Sequence, residues 1–236
     1  MIQFIGCGSA FNTRIGNTSA FLKKGDSLLL IDCGGTVFHR LQAMQLLDGL
    51  KRLHIVITHT HPDHVGSLGD IIFYAYYVLK ITPKLYFPEN RLLKTFLQCI
   101  GVEKQMVEII SNLTVDAADQ ELGAFNLSFI PVTHVTTIPA FGFLLEYEGA
   151  RIFYSGDSNS IRESVLRMLE KGELERMYQD TCGLDYDQNP HLSLRKLCEI
   201  IPVDLRSKVC CIHHDAYLDR EQVKTLGFQL PDIYSM

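Results

Sequence analysis

The sequence predicts an α/β fold in which two packed mixed β-sheets are flanked by helices, an αββα sandwich. Three observations predict it. Each half of the chain opens with strand patterns and continues into strands alternating with amphipathic helices, the strands are short and apolar, and metal-ligating residues stand directly after several of them.

The elements follow in order. Ile2 to Ile5, Ser19 to Leu22 and Ser27 to Ile31 read as strands separated by Gly/Asn/Ser turns, so the chain opens with a small antiparallel sheet. Val37, Phe38, Leu41, Met44 and Leu47 or Leu46 fall at helical spacing, Leu53 to Ile57 is a buried strand, and Val65 to Leu79 reads as one long apolar helix. Strand Lys84 to Phe87 precedes a helix that Pro88 starts and Gly101 ends. In the second half, Leu127 to Thr133 and Phe143 to Glu148 are strands, and Gly149 turns the latter into Arg151 to Tyr154 as a hairpin. Helices at Ile161 to Lys171 and Leu192 to Ile201, a strand at Lys208 to Ile212 and a short helix at Asp219 to Leu226 complete the chain.

With 47% hydrophobic and 21% charged residues, the 236-residue chain suits one large core, and one domain is expected over residues 1–236. The net charge is −5 and no Lys/Arg block stands out, which argues against a partner as large as long nucleic acid. Seven scattered cysteines without paired zinc-finger spacing suggest reduced thiols and a cytoplasmic setting. The start lacks a basic segment followed by a long apolar one, and the run Ile71 to Leu79 is too short to span a bilayer, so neither export nor membrane anchoring is expected.

The chemistry concentrates at Thr58-His59-Thr60-His61-Pro62-Asp63-His64, which places four potential metal ligands within six residues after an apolar strand. At a strand end, side chains two apart face the same way, so His59 and His61 can converge on one ion. Pro62 breaks the strand and sets Asp63 and His64 at a helix start, where they can point back to a second ion. Imidazole and carboxylate ligands suit zinc, with manganese or iron as alternatives. The bland alternative is a polar turn with three surface histidines. His134, Asp157 and His213 share one context, each directly after a predicted strand, and so are the candidates to complete the site. His39 and His54 read as structural.

These residues, together with the openings Phe4-Ile5-Gly6-Cys7-Gly8-Ser9-Ala10, Gly16-Asn17-Thr18-Ser19 and Leu30-Ile31-Asp32-Cys33-Gly34, resemble the metallo-β-lactamase superfamily in its RNase Z-like branch, over nearly the whole chain. The resemblance implies that His59, His61 and His134 hold one Zn²⁺, that Asp63, His64 and His213 hold another, that Asp157 bridges them, and that Asp32 orients the histidine loop. His214 is the rival of His213. Two zinc ions per subunit are thus implied, with Mn²⁺ as an alternative. Aspartate at 157, where zinc β-lactamases have cysteine, favours phosphodiester chemistry, for which two ions roughly 3.5–4 Å apart are suited. By the same resemblance Tyr178-Gln179-Asp180-Thr181-Cys182 and Asn189-Pro190-His191-Leu192-Ser193 supply the acid. His191 is read as general acid and Asp180 as the group that sets its tautomer and raises its pKa, although that branch usually has glutamate there. Asp63 counts as catalytic as well as ligating. The structural alternative for His191 is a plain position near a helix N-terminus.

Processing of tRNA 3′ ends is opposed by two absences: only 23 positions separate His134 from Asp157, leaving no room for a tRNA-gripping arm, and the acidic balance offers few phosphate contacts. The compact chain is most similar to the anti-Pycsar cyclic-nucleotide phosphodiesterases of phages and bacteria. That resemblance implies hydrolysis of 3′,5′-cyclic mononucleotides (cCMP, cUMP, cAMP, cGMP) and a homodimer. Ser158, Asn159 and Ser160 are either phosphate donors or an ordinary N-cap cluster. Tyr74, Tyr76 and Tyr77 either stack a base or pack in the core or a subunit contact. Other readings are a thioester or lactone hydrolase on the same fold and a catalytically silent nucleotide-binding protein.

Overall fold

The computed structural model describes residues 2–234. Its first sheet is built from β1 (Gln3–Gly6), β2 (Ser19–Lys24), β3 (Ser27–Ile31), β4 (Arg52–Val56), β5 (Lys84–Tyr86) and β6 (Glu108–Ile110), in that spatial order. The pairs β1/β2 and β2/β3 are antiparallel, whereas β3 to β6 run parallel. Helices α1 (Val37–Ala43), α2 (Pro62–Val65), α3 (Leu68–Tyr74) and α4 (Asn90–Cys99) lie in the connections. The second sheet has the order β12-β11-β10-β9-β8-β7, from β7 (Thr114–Asp119), β8 (Gly123–Pro131), β9 (Phe141–Tyr147), β10 (Ala150–Tyr154), β11 (Arg176–Asp180) and β12 (Val209–Ile212). Here β7 to β10 form an antiparallel meander and β10, β11 and β12 are parallel, joined through α5 (Glu163–Glu170) and α6 (Leu194–Ile200), with α7 (Arg220–Thr225) following β12.

The two sheets bury their inner faces against each other. Every residue of β3 is buried, as a strand covered on both faces requires, and its Ser-Leu-Leu-Leu-Ile sequence shows no alternation for that reason. Aromatic rings cross the interface: Phe4 lies 5.4 Å from Tyr178 and Phe87 lies 5.7 Å from Phe141, between ring centroids. Each such buried ring stabilises the fold by about 1.5–3 kcal/mol relative to exposure. A second apolar cluster, with Leu144, Phe153, Val165, Leu169, Met177 and Leu197, fills the outer face of the second sheet beneath α5 and α6. The layered architecture expected from the sequence is therefore what the chain forms.

Several details differ. The single helix expected over 65–79 is broken at Gly66-Ser67, because Ser67 turns its hydroxyl to the loop after β3, donating to the Gly34 carbonyl (2.6 Å) and accepting the Phe38 N–H (3.1 Å). Helix α3 then widens into a π turn over Ala75–Leu79. Strands β6, β7 and β11 were absent from the sequence expectation. Strand β6 has only three residues, β7 is an edge strand with one buried side chain, and β11 ends in Gln179 and Asp180, polar residues that are fully buried. Among the described residues no helix is long and apolar enough to cross a membrane.

Candidate metal centre

The site forms where the carboxyl ends of the parallel strands of both sheets meet, the position at which such strands commonly present functional groups. The Phe141 N–H donates to the Thr58 carbonyl (2.9 Å), so the two sheets are bonded directly at this edge. After β3, Asp32 enters the left-handed region (φ 58°), unusual for a residue with a side chain. Its carboxylate, fully buried, accepts the Thr58 N–H and the Thr58 hydroxyl, each at 2.8 Å, and takes a bond of 2.7 Å from His64 Nδ1. That bond places the His64 proton on Nδ1 and leaves Nε2 to face the cluster. Pro62 opens α2, and Asp63 and His64 turn back towards the strand ends as its next residues. Beneath them, a Cβ on Gly34 would overlap the Asp63 carbonyl, so only glycine lets the loop after β3 pass there.

Among the described residues three groups of candidate ligand atoms result, one of them Asp157, Asp180, His191 and His213, and the other two hold every residue expected to ligate. In the first, His59 Nε2 lies 3.0 Å from His61 Nδ1, His134 Nε2 lies 3.2 Å from His61 Nδ1, and Asp157 Oδ2 is 3.7 Å from both His59 and His134. In the second, Asp157 Oδ1 is 3.1 Å from His64 Nε2 and 3.4 Å from His213 Nε2, while Asp63 Oδ2 is 3.4 Å and 3.1 Å from the same two nitrogens. Ligands about 2.0–2.1 Å from a tetrahedral zinc stand roughly 3.3–3.4 Å apart, so both sets have the spacing of a coordination shell. Asp157 presents one oxygen to each. The buried atoms Asp157 Oδ1 and His64 Nε2 have no hydrogen-bond partner, a costly arrangement for a purely structural cluster and a natural one for metal ligands.

The electrostatics agree. Burial and the neighbouring imidazoles hold His59 well below the usual histidine pKa, which keeps the ring neutral, as a ligand must be. Burial would raise Asp157, but His213, His64 and His59 outweigh it and hold the carboxyl well below its ordinary range. Burial opposes a charge on His213 and His64, yet the neighbouring carboxylates raise both, His213 up to about 10, so a metal ion binding here has to displace protons from them. The residues present thus fit divalent metal ions.

Beside the cluster, His191 Nδ1 lies 2.7 Å from Asp180 Oδ2, and the same oxygen accepts the Ser158 N–H at 2.9 Å. Burial lowers the His191 pKa, but the charge and hydrogen bond of Asp180 outweigh that and raise it. The ring stacks 4.8 Å from His213 and keeps 24% of its side chain exposed, with Nε2 as the uncommitted nitrogen. The structure therefore brings His59, His61, Asp63, His64, His134, Asp157, Asp180, His191 and His213 together. His214 turns away: Nε2 bonds the Cys211 carbonyl (2.7 Å), Nδ1 approaches Cys7 Sγ (3.6 Å), and burial lowers its pKa to about 4. His213 reaches the cluster by adopting φ 59°, a second left-handed residue at a strand end.

Two pairs of alternatives left open by the sequence are narrowed here. Ser158, Asn159 and Ser160 do not offer themselves to a phosphate, since the Ser158 hydroxyl donates to the Ser160 carbonyl, the Asn159 amide donates to the Asn189 carbonyl, and α5 starts three residues later. Tyr74, Tyr76 and Tyr77 do not line the site cavity: Tyr74 packs on Phe38 and Tyr77 on Phe73. His54 is structural, bonded to Tyr86 and Asp119.

Sequence reasoning missed Asn189, whose carboxamide accepts the His191 N–H (3.0 Å), and Asp215, whose carboxylate accepts the Gly183 and Leu184 N–H groups. An Asn two residues before the candidate acid, in Asn189-Pro190-His191, carries an Asx-turn signature that could have found the first. The cluster floors a cavity of about 860 Å³, within the range of small-molecule sites.

Comparisons with known proteins place this geometry in context. Residues 1–230 match the family described as Anti-Pycsar protein Apyc1. A curated relative of that name from Paenibacillus harenae is 25% identical over 236 residues, covering 95% of this chain and 93% of the relative. Among solved structures, the metallo-beta-lactamase fold protein YhfI from Bacillus subtilis superposes with a TM-score of 0.73 at 19% identity, covering 97% of this chain and 94% of that one. The short form of human tRNase Z superposes with a TM-score of 0.64 at 17% identity, covering 98% and 95%. These two likenesses establish the metallo-β-lactamase fold.

Proposed function

The chain belongs to the Anti-Pycsar protein Apyc1 family, and from that membership and the paired His/Asp cluster we propose that it is a zinc-dependent phosphodiesterase hydrolysing 3′,5′-cyclic mononucleotides. Its substrates are cCMP, cUMP, cAMP and cGMP, its products the nucleoside 5′-monophosphates, and its role the silencing of Pycsar-type antiphage signalling. The observation that carries the reading is Asp157, with one oxygen towards each ligand set, beside the His191–Asp180 pair.

In this reading His59, His61, His134 and Asp157 would hold one ion, and Asp63, His64, His213 and Asp157 would hold the other, with Mn²⁺ as the alternative to zinc. Two such ions supply Lewis-acid stabilisation of charge at phosphorus and lower the pKa of water. Asp63, on the cavity wall, orients the attacking water. His191, protonated on both nitrogens, gives the Nε2 proton to the departing 3′-oxygen, and Asp180 fixes the ring and stabilises its charge. The whole chain, 1–236, acts as one hydrolase domain, as a homodimer in the cytoplasm.

Two other readings are weaker on specific grounds. Between His134 and Asp157 the chain is occupied by β9, a tight turn and β10, which leaves no segment there to grip a tRNA. For a thioester or lactone hydrolase, a buried Asp180 holding a cavity-facing imidazole has no evident use. The deciding experiment incubates zinc-loaded protein with the four cyclic nucleotides and with a 3′-extended tRNA precursor. Linear 5′-monophosphates with intact tRNA are expected; trimmed tRNA with intact cyclic nucleotides would overturn the proposal.

A further inference from the structure

The cavity above the candidate metal centre is polar at its floor and apolar at its mouth. Phe11, fully exposed, and Leu184 and Tyr186, 42% and 52% exposed, line the same cavity as His61, Asp63 and His191. Isolated exposed apolar residues are ordinary, but three that converge on one charged pocket form a surface suited to a ligand.

Both loops that carry them are fastened to one place, the segment after β12 that begins with His213. The loop holding Phe11 is tied there by Ser9, whose N–H donates to the His214 carbonyl (3.0 Å), and by Asn12, whose amide donates to the same carbonyl (3.0 Å). The loop holding Leu184 and Tyr186 is tied there by Asp215, which accepts the Gly183 N–H (2.9 Å) and the Leu184 N–H (3.2 Å). The backbone that carries the apolar groups is therefore held at a fixed offset from the ligand cluster, while the exposed side chains themselves order on binding.

Several of the polar side chains around them are already engaged. Asn189 bonds the Leu184 carbonyl and the His191 N–H, Asn17 accepts the Thr36 N–H, and Asp215 is taken by the loop it anchors. The hydroxyls of Ser9 and Thr13 remain to meet a polar edge, but the larger free surface at the mouth is apolar, the exposed side chains of Phe11, Leu184 and Tyr186. We propose that Phe11, Leu184 and Tyr186 form a stacking shelf for the nucleobase, which recognises the face of the base rather than its edge. The shelf rests on the cyclic-nucleotide reading above. It accepts purines and pyrimidines alike and holds the larger purine ring more tightly.

The test compares wild type with Phe11→Ala, Tyr186→Ala and the double variant, each checked for metal content and folding. The substrates are cAMP, cGMP, cCMP, cUMP and a base-free ribose 3′,5′-cyclic phosphate. Expected is a rise in KM of roughly 5- to 100-fold, largest for the purines, smaller for the pyrimidines and least for the base-free compound. Tyr186→Phe should restore most of the loss. Equal losses on all five substrates, or none, would overturn the shelf, as would a Phe11→Ala variant that changes subunit assembly with KM unchanged. Failure of wild type on all four nucleotides would instead remove the underlying phosphodiesterase assignment, before any variant is read.

Discussion

Gly34 lies directly beneath the backbone carbonyl of Asp63, with no room for a methyl group between them. The contact joins the loop after β3 to the turn that carries two of the candidate ligands, and the Cys33 N–H bond to the His64 carbonyl (2.7 Å) closes the same junction. Gly34→Ala should therefore shift α2 outward. The expected cost is about 1–3 kcal/mol, with weaker binding at the site formed by Asp63 and His64. Urea unfolding and metal analysis of the variant check both, and normal metal content at normal stability would contradict the contact.

Asp157→Ala removes an oxygen from each ligand set. Bound metal should fall from two ions towards one or none, and hydrolysis by at least roughly 100-fold. Two full ions retained in that variant would sink the bridging role.

His191→Ala touches neither ligand set. Both ions should remain while turnover falls by roughly 10²- to 10⁴-fold, the range for a lost general acid. Asp180→Asn should lower turnover less and shift the alkaline limb of the rate profile to lower pH, because the negative charge that raises the His191 pKa is gone. Unchanged turnover in His191→Ala would remove it from the mechanism.

At the far end of β4, His54 bonds Tyr86 (2.8 Å) and Asp119 (3.1 Å), beside Arg52. Burial lowers the His54 pKa despite Asp119. Burial works against the Asp119 charge, but the Leu122 N–H, then Ser27, Glu121 and His54, bring it down to about 2. Both folded-state values lie below their unfolded ones, so the unfolded chain binds more protons in acid. The His54 contribution is full above about pH 6.5 and is lost as pH falls below it; that of Asp119 is full above about pH 4 and is lost towards pH 2. The urea midpoint should therefore drop from pH 7 to pH 5, and His54→Gln should flatten that drop. An equal slope in the variant would exclude His54 as its source.

The clustering of the candidate ligands was legible because strand-end spacing and a Pro-initiated turn are written locally, in Thr58 to His64. What escaped depends on distant partners. The strand β11 hides Gln179 and Asp180 in the interior, where polar residues argue against a strand unless their hydrogen bonds are known. The choice of His213 over His214 turns on one left-handed backbone angle, and the break at Ser67 on its bonds to a loop about thirty residues earlier. Asp215 and Phe11 carry no spacing signal at all.

Each ligand set draws two residues from the first sheet's connections, His59 and His61 or Asp63 and His64, and two from the second sheet's, Asp157 with His134 or His213. Neither of these two sets is completed by one half of the chain alone, so an ion bound in either would also work as a clasp that rivets the halves together, unlike one held by Asp157, Asp180, His191 and His213, which all belong to the second half. Its binding energy then becomes assembly energy, about 2.7 kcal/mol for free metal at 100 times its dissociation constant. Chelation would free the two sheets to part at this rim first, exposing the loops there to proteolysis while the opposite edge, locked by Arg52, His54 and Asp119, stays shut.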